Sequence, residues 1–225
     1  MLEDFKRVGR MLFEEGLVGS HSGNLSLRQG DKIFITRSGA MLGDLQDGDV
    51  VEVALASGAD EKNASVELPV HRAIYQGSSA QAIVHAHPAN GTALSILYEQ
   101  KIIPQDAEGQ YYFKSVPVLK VRQAIGSDEV VKMLPPIFAG GYAIAMVRGH
   151  GSFAVGDTLE KAYQLTSAFE SSCRITNILK SIQPPPAAPA MAGHHPRREE
   201  RRHTGAIPPG IGVMGRTYNK RDERR

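Results

Sequence analysis

Four side chains far apart in the chain are of types that could together hold a cation and move a proton. His85 and His87 stand two apart in AIVHAHPANG (82–91), a short apolar run that ends at Pro88. Side chains at i and i+2 of an extended segment share a face, so both imidazoles converge if 82–87 is a strand. His150 sits between Gly149 and Gly151 in MVRGHGSF, at the end of another predicted strand, where the glycines permit a tight turn and leave the ring unobstructed. Three neutral imidazoles with a fourth position open suit a catalytic divalent transition metal, most often zinc. The same spacing also suits buried histidines satisfied by hydrogen bonds, and spacing alone leaves both readings open. Glu67, in SVELPVHRAIY, falls at a predicted helix N-terminus. The backbone dipole favours a carboxylate there for purely structural reasons. If that helix points at the histidines, the same carboxylate becomes a base beside the metal.

Two glycine-bearing turns complete the chemical inventory. SHSGN (20–24) and TRSG (36–39) offer hydroxyls and backbone N–H groups where a small residue allows close approach, which is how loops bind phosphate oxygens; ordinary turns look the same. Neither GHGSFAVG nor AGGYAIA has the spacing of a dinucleotide-binding glycine loop.

These residues need elements to position them. Leu2, Phe5, Val8, Met11 and Leu12 recur at helical spacing and stop at Gly16, which predicts a helix over 2–15. The period then changes to alternation in 24–28, 32–39 and 49–55, three short strands joined by Gly/Asp turns, as in an antiparallel sheet. A helix starting near 66–68, with Pro69 in its first turn, a strand over 81–87 and a helix over 90–100 follow. Strands at 116–121 and 142–149 flank a helix over 127–134. Asp157 with Glu160 three residues later predicts the N-cap of a long helix reaching about Ser181, with Leu159, Tyr163, Thr166, Phe169, Cys173, Ile178 and Ile182 on one face.

The proline run QPPPAAPAMAG (183–193) ends that helix, so the domain is expected to span 1–183, with a Pro/Arg-rich tail over 184–225. HHPRREERRH (194–203) within it reads as a solvated tail rather than a metal tract. Charge divides the same way. The first 183 residues carry 17 Lys and Arg against 20 Asp and Glu, net −3; the remaining 42 carry 9 against 4, net +5. An acidic body gives no basic face for nucleic acid, and no apolar run reaches the roughly 18 residues of a membrane span. The N-terminus lacks the apolar core of a signal peptide, so a cytoplasmic protein is expected. Cys173 is the single cysteine, expected as a small buried hydrophobe.

In order, GLVGSHSGNLSLR, ITRSGAMLGDLQDGDVVEV, ASVELPVHRAIY, AIVHAHPANGTALS and VRGHGSFAVGDTLEKAY resemble the motifs of the class II aldolase/adducin family, over about residues 5–180. The resemblance implies a three-layer α/β/α domain around a largely antiparallel sheet, assembled as a homotetramer with active sites at subunit interfaces. It implies that His85, His87 and His150 hold Zn²⁺, that Glu67 is the fourth ligand at rest and the acid/base once substrate displaces it, and that Gly23, Asn24, Ser38, Gly39 and Ser65 bind a substrate phosphate. The implied reaction is cleavage of a ketose 1-phosphate, by default L-fuculose 1-phosphate, to dihydroxyacetone phosphate and a small aldehyde such as lactaldehyde. A dehydratase or epimerase acting on a sugar phosphate at the same metal site is the alternative within enzymes. An adducin-like binding module is the alternative outside them, disfavoured because all three histidines and Glu67 are present.

Departures from the family pattern matter too. Val66 stands where a second serine is frequent, and Arg37 where proline is frequent, so Arg37 could replace a lost phosphate contact with a charge-assisted bond. Gln110 stands where epimerases carry an aspartate, which disfavours epimerisation, although Asp106 and Glu108 are close by. Glu108, Tyr111 and Tyr112 are candidates for the proton donor to the leaving aldehyde, and Tyr218 matches the C-terminal tyrosine that a neighbouring subunit can contribute.

Overall fold

The apolar periods of the sequence resolve into six α-helices and eight strands in the computed structural model, which describes residues 1–56 and 61–182. The tail expected over 184–225, and Tyr218 within it, lie outside the described residues. Helix α1 (Leu2–Glu14) turns Phe5, Val8 and Leu12 inward and ends before Gly16, whose φ of +69° only glycine adopts without cost. Strands β1 (Asn24–Gln29), β2 (Lys32–Thr36) and β3 (Val50–Ala54) form the antiparallel meander expected from their alternation.

Helix α2 (Leu68–Gly77) carries Pro69 in its first turn, where its missing N–H costs nothing, and Glu67 is its N-cap residue. Then come β4 (Ala82–Ala86), α3 (Ala89–Leu97), β5 (Lys101–Ile102), α4 (Ala107–Tyr112), β6 (Val116–Leu119), α5 (Asp128–Ala139), β7 (Ile144–Val147), β8 (Gly151–Gly156) and α6 (Leu159–Ile182). The sheet order is β3-β2-β1-β4-β8-β7-β6-β5. Every neighbouring pair is antiparallel except β6–β7, and the parallel pair is connected by a crossover through α5.

All five residues of β4 are buried, because helices cover both faces of the sheet. Ala82, Val84 and Ala86 pack with Phe5, Leu12 and Phe169 of α1 and α6. Ile83 packs on the opposite face with Ile74 of α2, Leu134 of α5 and Phe153 of β8. This is the three-layer α/β/α architecture with a largely antiparallel sheet. Truncating Phe169 or Phe153 to alanine would cost about 3–5 kcal/mol.

Several boundaries depart from expectation. Helix α5 does not stop at Leu134 but runs through Pro135 and Pro136 to Ala139. Pro135 lies so close to α2 that a Cβ on Gly77 would fall 2.6 Å from its Cβ, so tight helix packing offsets the two missing backbone donors. The strands expected over 32–39, 116–121 and 142–149 are shorter, and β5, α4 and β8 come from segments given no element. The cap of α6 is Thr158, whose Oγ1 accepts from the Lys161 N–H at 3.1 Å, rather than Asp157. Ile178 and Ile182 on α6 are exposed, since the buried stripe of that helix ends at Thr176. Cys173 is buried as expected, and burial raises its thiol well above the ordinary range.

Candidate active site

Alternation along β4 puts His85 on the face of the sheet covered by α2 and α5, beside Ile83. Its ring stacks on Phe153 of the neighbouring strand β8, with centroids 4.2 Å apart. His85 Nδ1 lies 2.9 Å from the Ser152 carbonyl oxygen. A neutral ring donates its Nδ1–H there, which leaves the Nε2 lone pair free to bind a cation. His87 follows the strand end, its backbone N–H held by the Leu17 carbonyl at 2.8 Å. His150 comes from the β7–β8 hairpin, whose turn uses Gly149 at φ +68°.

The three imidazoles converge. Their nearest nitrogens all lie within 4.8 Å of one another, and His85 Nε2 is 3.1 Å from His87 Nε2. Gly151 is the floor that allows this. A Cβ there would stand 2.8 Å from His87 Cδ2 and 3.0 Å from His85 Cε1. Burial is the main cause that lowers all three pKa values, that of His87 to about 4 and that of His85 well below the histidine range. At neutral pH all three rings are therefore uncharged, the form that ligates metal.

Glu67 closes the site from the α2 side. Its side chain is 3 % exposed, with Oε1 3.9 Å from His150 Nε2. Oε2 accepts a hydrogen bond from the Gly126 N–H at 3.1 Å, while Oε1 is buried with no hydrogen-bond partner. Burial raises the carboxyl to about 7 against the opposing pull of the Gly126 N–H. Convergent lone pairs on uncharged rings, beside an unsatisfied carboxylate oxygen, form a donor set that fits a divalent cation.

The residues expected to bind phosphate open onto the same space. Gly23, Asn24, Ser38, Gly39, Ser65 and Arg37 line one cavity of about 170 Å³ together with Glu67, His85, His87 and His150. Strand pairing brings them there: Asn24 of β1 sits directly opposite His85 of β4. Asn24 Oδ1 is buried without a partner, and Ser65 Oγ accepts from the Glu67 N–H at 3.3 Å. Gly23 has φ +81°, and a Cβ on it would fall 2.8 Å from the His85 carbonyl oxygen. Gly39 has φ +76° with open space where a Cβ would be.

Glu108 and Tyr112 do not join this cavity within one chain. They line another of about 430 Å³, with Lys161 and Tyr163 of α6. Four contributors escaped the sequence reading: the Gly126 N–H, the Ser152 carbonyl, Phe153 under His85, and Ile125 on the cavity wall. Two of these act through backbone atoms, which leave almost no trace in residue type. The Gly126-Ser127 pair just before α5 was the one available signal.

The chain matches the family model of the class II aldolase and adducin N-terminal domain over residues 3–177. A solved structure of l-fuculose-1-phosphate aldolase from Thermus thermophilus superposes with a TM-score of 0.76 at 35% identity, covering 81% of this chain and 97% of that one. An L-fuculose phosphate aldolase from Methanococcus vannielii is 25% identical over 182 residues, 80% of this chain and 98% of the relative. A methylthioribulose-1-phosphate dehydratase from Acidiphilium cryptum is 28% identical over 179 residues, 72% of this chain and 83% of the relative.

Proposed function

The chain belongs to the class II aldolase and adducin family, and from that premise we propose that it is a zinc-dependent aldolase cleaving a ketose 1-phosphate to dihydroxyacetone phosphate and a small aldehyde. L-Fuculose 1-phosphate, giving lactaldehyde, is the default substrate. The observation that carries this reading is the convergence of three uncharged imidazoles beside a carboxylate whose Oε1 is buried and unsatisfied.

His85, His87 and His150 would hold the metal, with Glu67 as the fourth ligand at rest. Bound Zn²⁺ would supply Lewis acidity toward the negative charge that develops on the carbonyl and hydroxyl oxygens of the dihydroxyacetone phosphate half. The protein's own groups do the rest. Gly23, Asn24, Ser38, Gly39 and Ser65 bind the phosphate and so fix which carbon lies next to Glu67. Glu67, whose carboxyl burial holds above the ordinary carboxylate range, moves the proton at C1 of that fragment. The Gly126 N–H holds Oε2, which leaves Oε1 as the oxygen turned to the chemistry.

We assign the assembly as a homotetramer with interfacial sites, in the cytoplasm. A neighbouring copy then brings the aldehyde-side proton donor from among Glu108, Tyr112 and Tyr218. The described residues contain no helix long and apolar enough to cross a membrane.

The test is condensation of dihydroxyacetone phosphate with a panel of aldehydes by zinc-loaded and metal-stripped protein. Turnover only in the loaded form supports the reading, and equal turnover in the stripped form removes it. Glu67→Gln should stay folded and keep dihydroxyacetone phosphate binding within about fivefold, while exchange of the C1 proton falls roughly 10³-fold. A dehydratase on the same site is the second reading, favoured by the 28% identity to the methylthioribulose-1-phosphate dehydratase. It moves ahead if no aldehyde condenses and methylthioribulose 1-phosphate loses water.

A further inference from the structure

The cavity carries one permanent positive charge among its described lining residues, that of Arg37. Two other lining residues are exposed and apolar, Val66 at 63% and Ile125 at 59%. Arg37 is held on several sides. Its Nε donates to Asp49 Oδ1 at 2.6 Å and its Nη1 to the Ser38 carbonyl oxygen at 3.2 Å. Its backbone N–H donates to the Asp49 carbonyl at 2.8 Å. Asp49 is buried, and its Oδ2 accepts from the Gln46 N–H at 2.8 Å, so its carboxylate is fixed as well. The guanidinium is therefore parked at the Ser38-Gly39 turn. No hydrogen bond to a described residue occupies its Nη2.

We infer that Arg37 is the residue that selects a phosphate monoester in this cavity, and that Asp49 is its positioning residue. The physical argument has two parts. A guanidinium offers N–H donors in a fixed fork that matches phosphate oxygens, and it stays charged at every relevant pH. An arginine left free would lose side-chain entropy on each binding event. One already fixed by a buried carboxylate has met that cost in folding. This inference rests on the sugar-phosphate reading of the site and adds to it the residue that enforces the phosphate.

The experiment compares wild-type protein with R37Q, R37K, D49N and R37Q/D49N in two measurements. The first is the KM and kcat for dihydroxyacetone phosphate in condensation. The second is inorganic phosphate binding by calorimetry, which needs no turnover. R37Q should raise both the KM and the phosphate Kd about 30-fold, the size of one charge-assisted hydrogen bond, with kcat changed less than about threefold. R37K should recover only part of the loss, because an ammonium cannot span Asp49 and the Ser38 carbonyl at once. D49N should weaken phosphate binding about fivefold in the wild-type background and not at all in R37Q, since Asp49 acts through Arg37. A purely structural Asp49 would show the same loss in both backgrounds, which overturns the positioning role. R37Q that binds phosphate like wild type, or wild type that does not bind phosphate, overturns the inference. If no aldehyde condenses but R37Q still loses phosphate, the aldolase reading fails and this one stands.

Discussion

The two walls of the cavity are built from different materials. The histidine wall rises from strands β4 and β8 and the hairpin beside them; its rings are uncharged, His85 buried on Phe153 and the Ser152 carbonyl, His87 and His150 half-buried. The other wall is made of the loop at 21–23 that leads into Asn24 at the start of β1 and of the turn at 37–40, with positive-φ glycines, hydroxyls and one charged side chain. A cation needs ligands at a few fixed distances, and a sheet flanked by helices supplies that rigidity. A phosphate presents oxygens in many directions and is met by backbone N–H groups and hydroxyls, which turns supply cheaply. Substitutions on the first wall should therefore abolish function outright, and substitutions on the second should grade it.

The largest effect is expected from His87→Ala, which removes one of three converging rings from a half-buried position. Metal content measured by elemental analysis should fall below about a tenth of wild type, and turnover should fall at least about 10³-fold. A variant that keeps both would mean the histidines are structural and would erase the contrast between the walls.

Gly151→Ala probes the rigidity of the same wall without removing a ligand. Its Cβ would be placed 2.4 Å from the Ala86 carbonyl oxygen and 2.8 Å from His87 Cδ2, so β4 or the ring must move. Zinc affinity by competition with a chromogenic chelator should drop about 10–100-fold. Unchanged affinity would show that the wall yields more easily than a sheet should.

Below that wall, His71 offers a test through pH. The ring is wholly buried, edge-on to Phe153, with Nδ1 2.7 Å from Ser26 Oγ, and burial lowers its pKa to about 3. The unfolded chain takes up a proton near pH 6.5, whereas the folded one refuses it until about pH 3. Stability from this group is thus fully present above about pH 6.5 and is lost as pH falls toward 3. Between pH 7 and pH 5 the loss is about 2 kcal/mol. In urea unfolding of metal-free protein, His71→Phe should show a drop over that interval smaller by about this amount. An identical drop would mean His71 is solvated in the folded state.

How much of this was readable beforehand follows the same division. The convergence of the histidines was legible because a period-2 strand aligns His85 with His87 and glycines beside His150 betray a tight turn; spacing left a metal site and a hydrogen-bonded core both open, and the family resemblance is what favoured the metal. Glu67 was legible from helix-start chemistry, and its neighbours from the turn residues around them. Contributions made by main-chain atoms, such as the Ser152 carbonyl and the Gly126 N–H, were not, since any residue type supplies them. Errors of extent came from tertiary packing. Pro135 and Pro136 read as a helix stop, yet contact with Gly77 carries α5 past them. Strand β8 was hidden because glycine at both ends weakened its pattern, although pairing with β4 and β7 fixes it at the centre of the sheet. Glu108 and Tyr112 enter only as candidates for the proton donor that the resemblance implies, and within one chain the fold puts them in another cavity.

The smallest effect belongs to the turn wall. Ser38 lines the cavity between Arg37 and Gly39, and its backbone N–H is already committed to the Asn63 carbonyl at 2.9 Å. Its hydroxyl is therefore what it can offer a phosphate oxygen, a neutral donor worth about 1 kcal/mol. Ser38→Ala should raise the KM for dihydroxyacetone phosphate about fivefold, with kcat and zinc content at wild-type values, and the loss should persist in R37Q because the two donors reach different oxygens. If Ser38→Ala instead strips the metal or reduces kcat by orders of magnitude, the two walls are one mechanical unit. The contrast drawn from their materials would then fail at the turn where Arg37 is anchored.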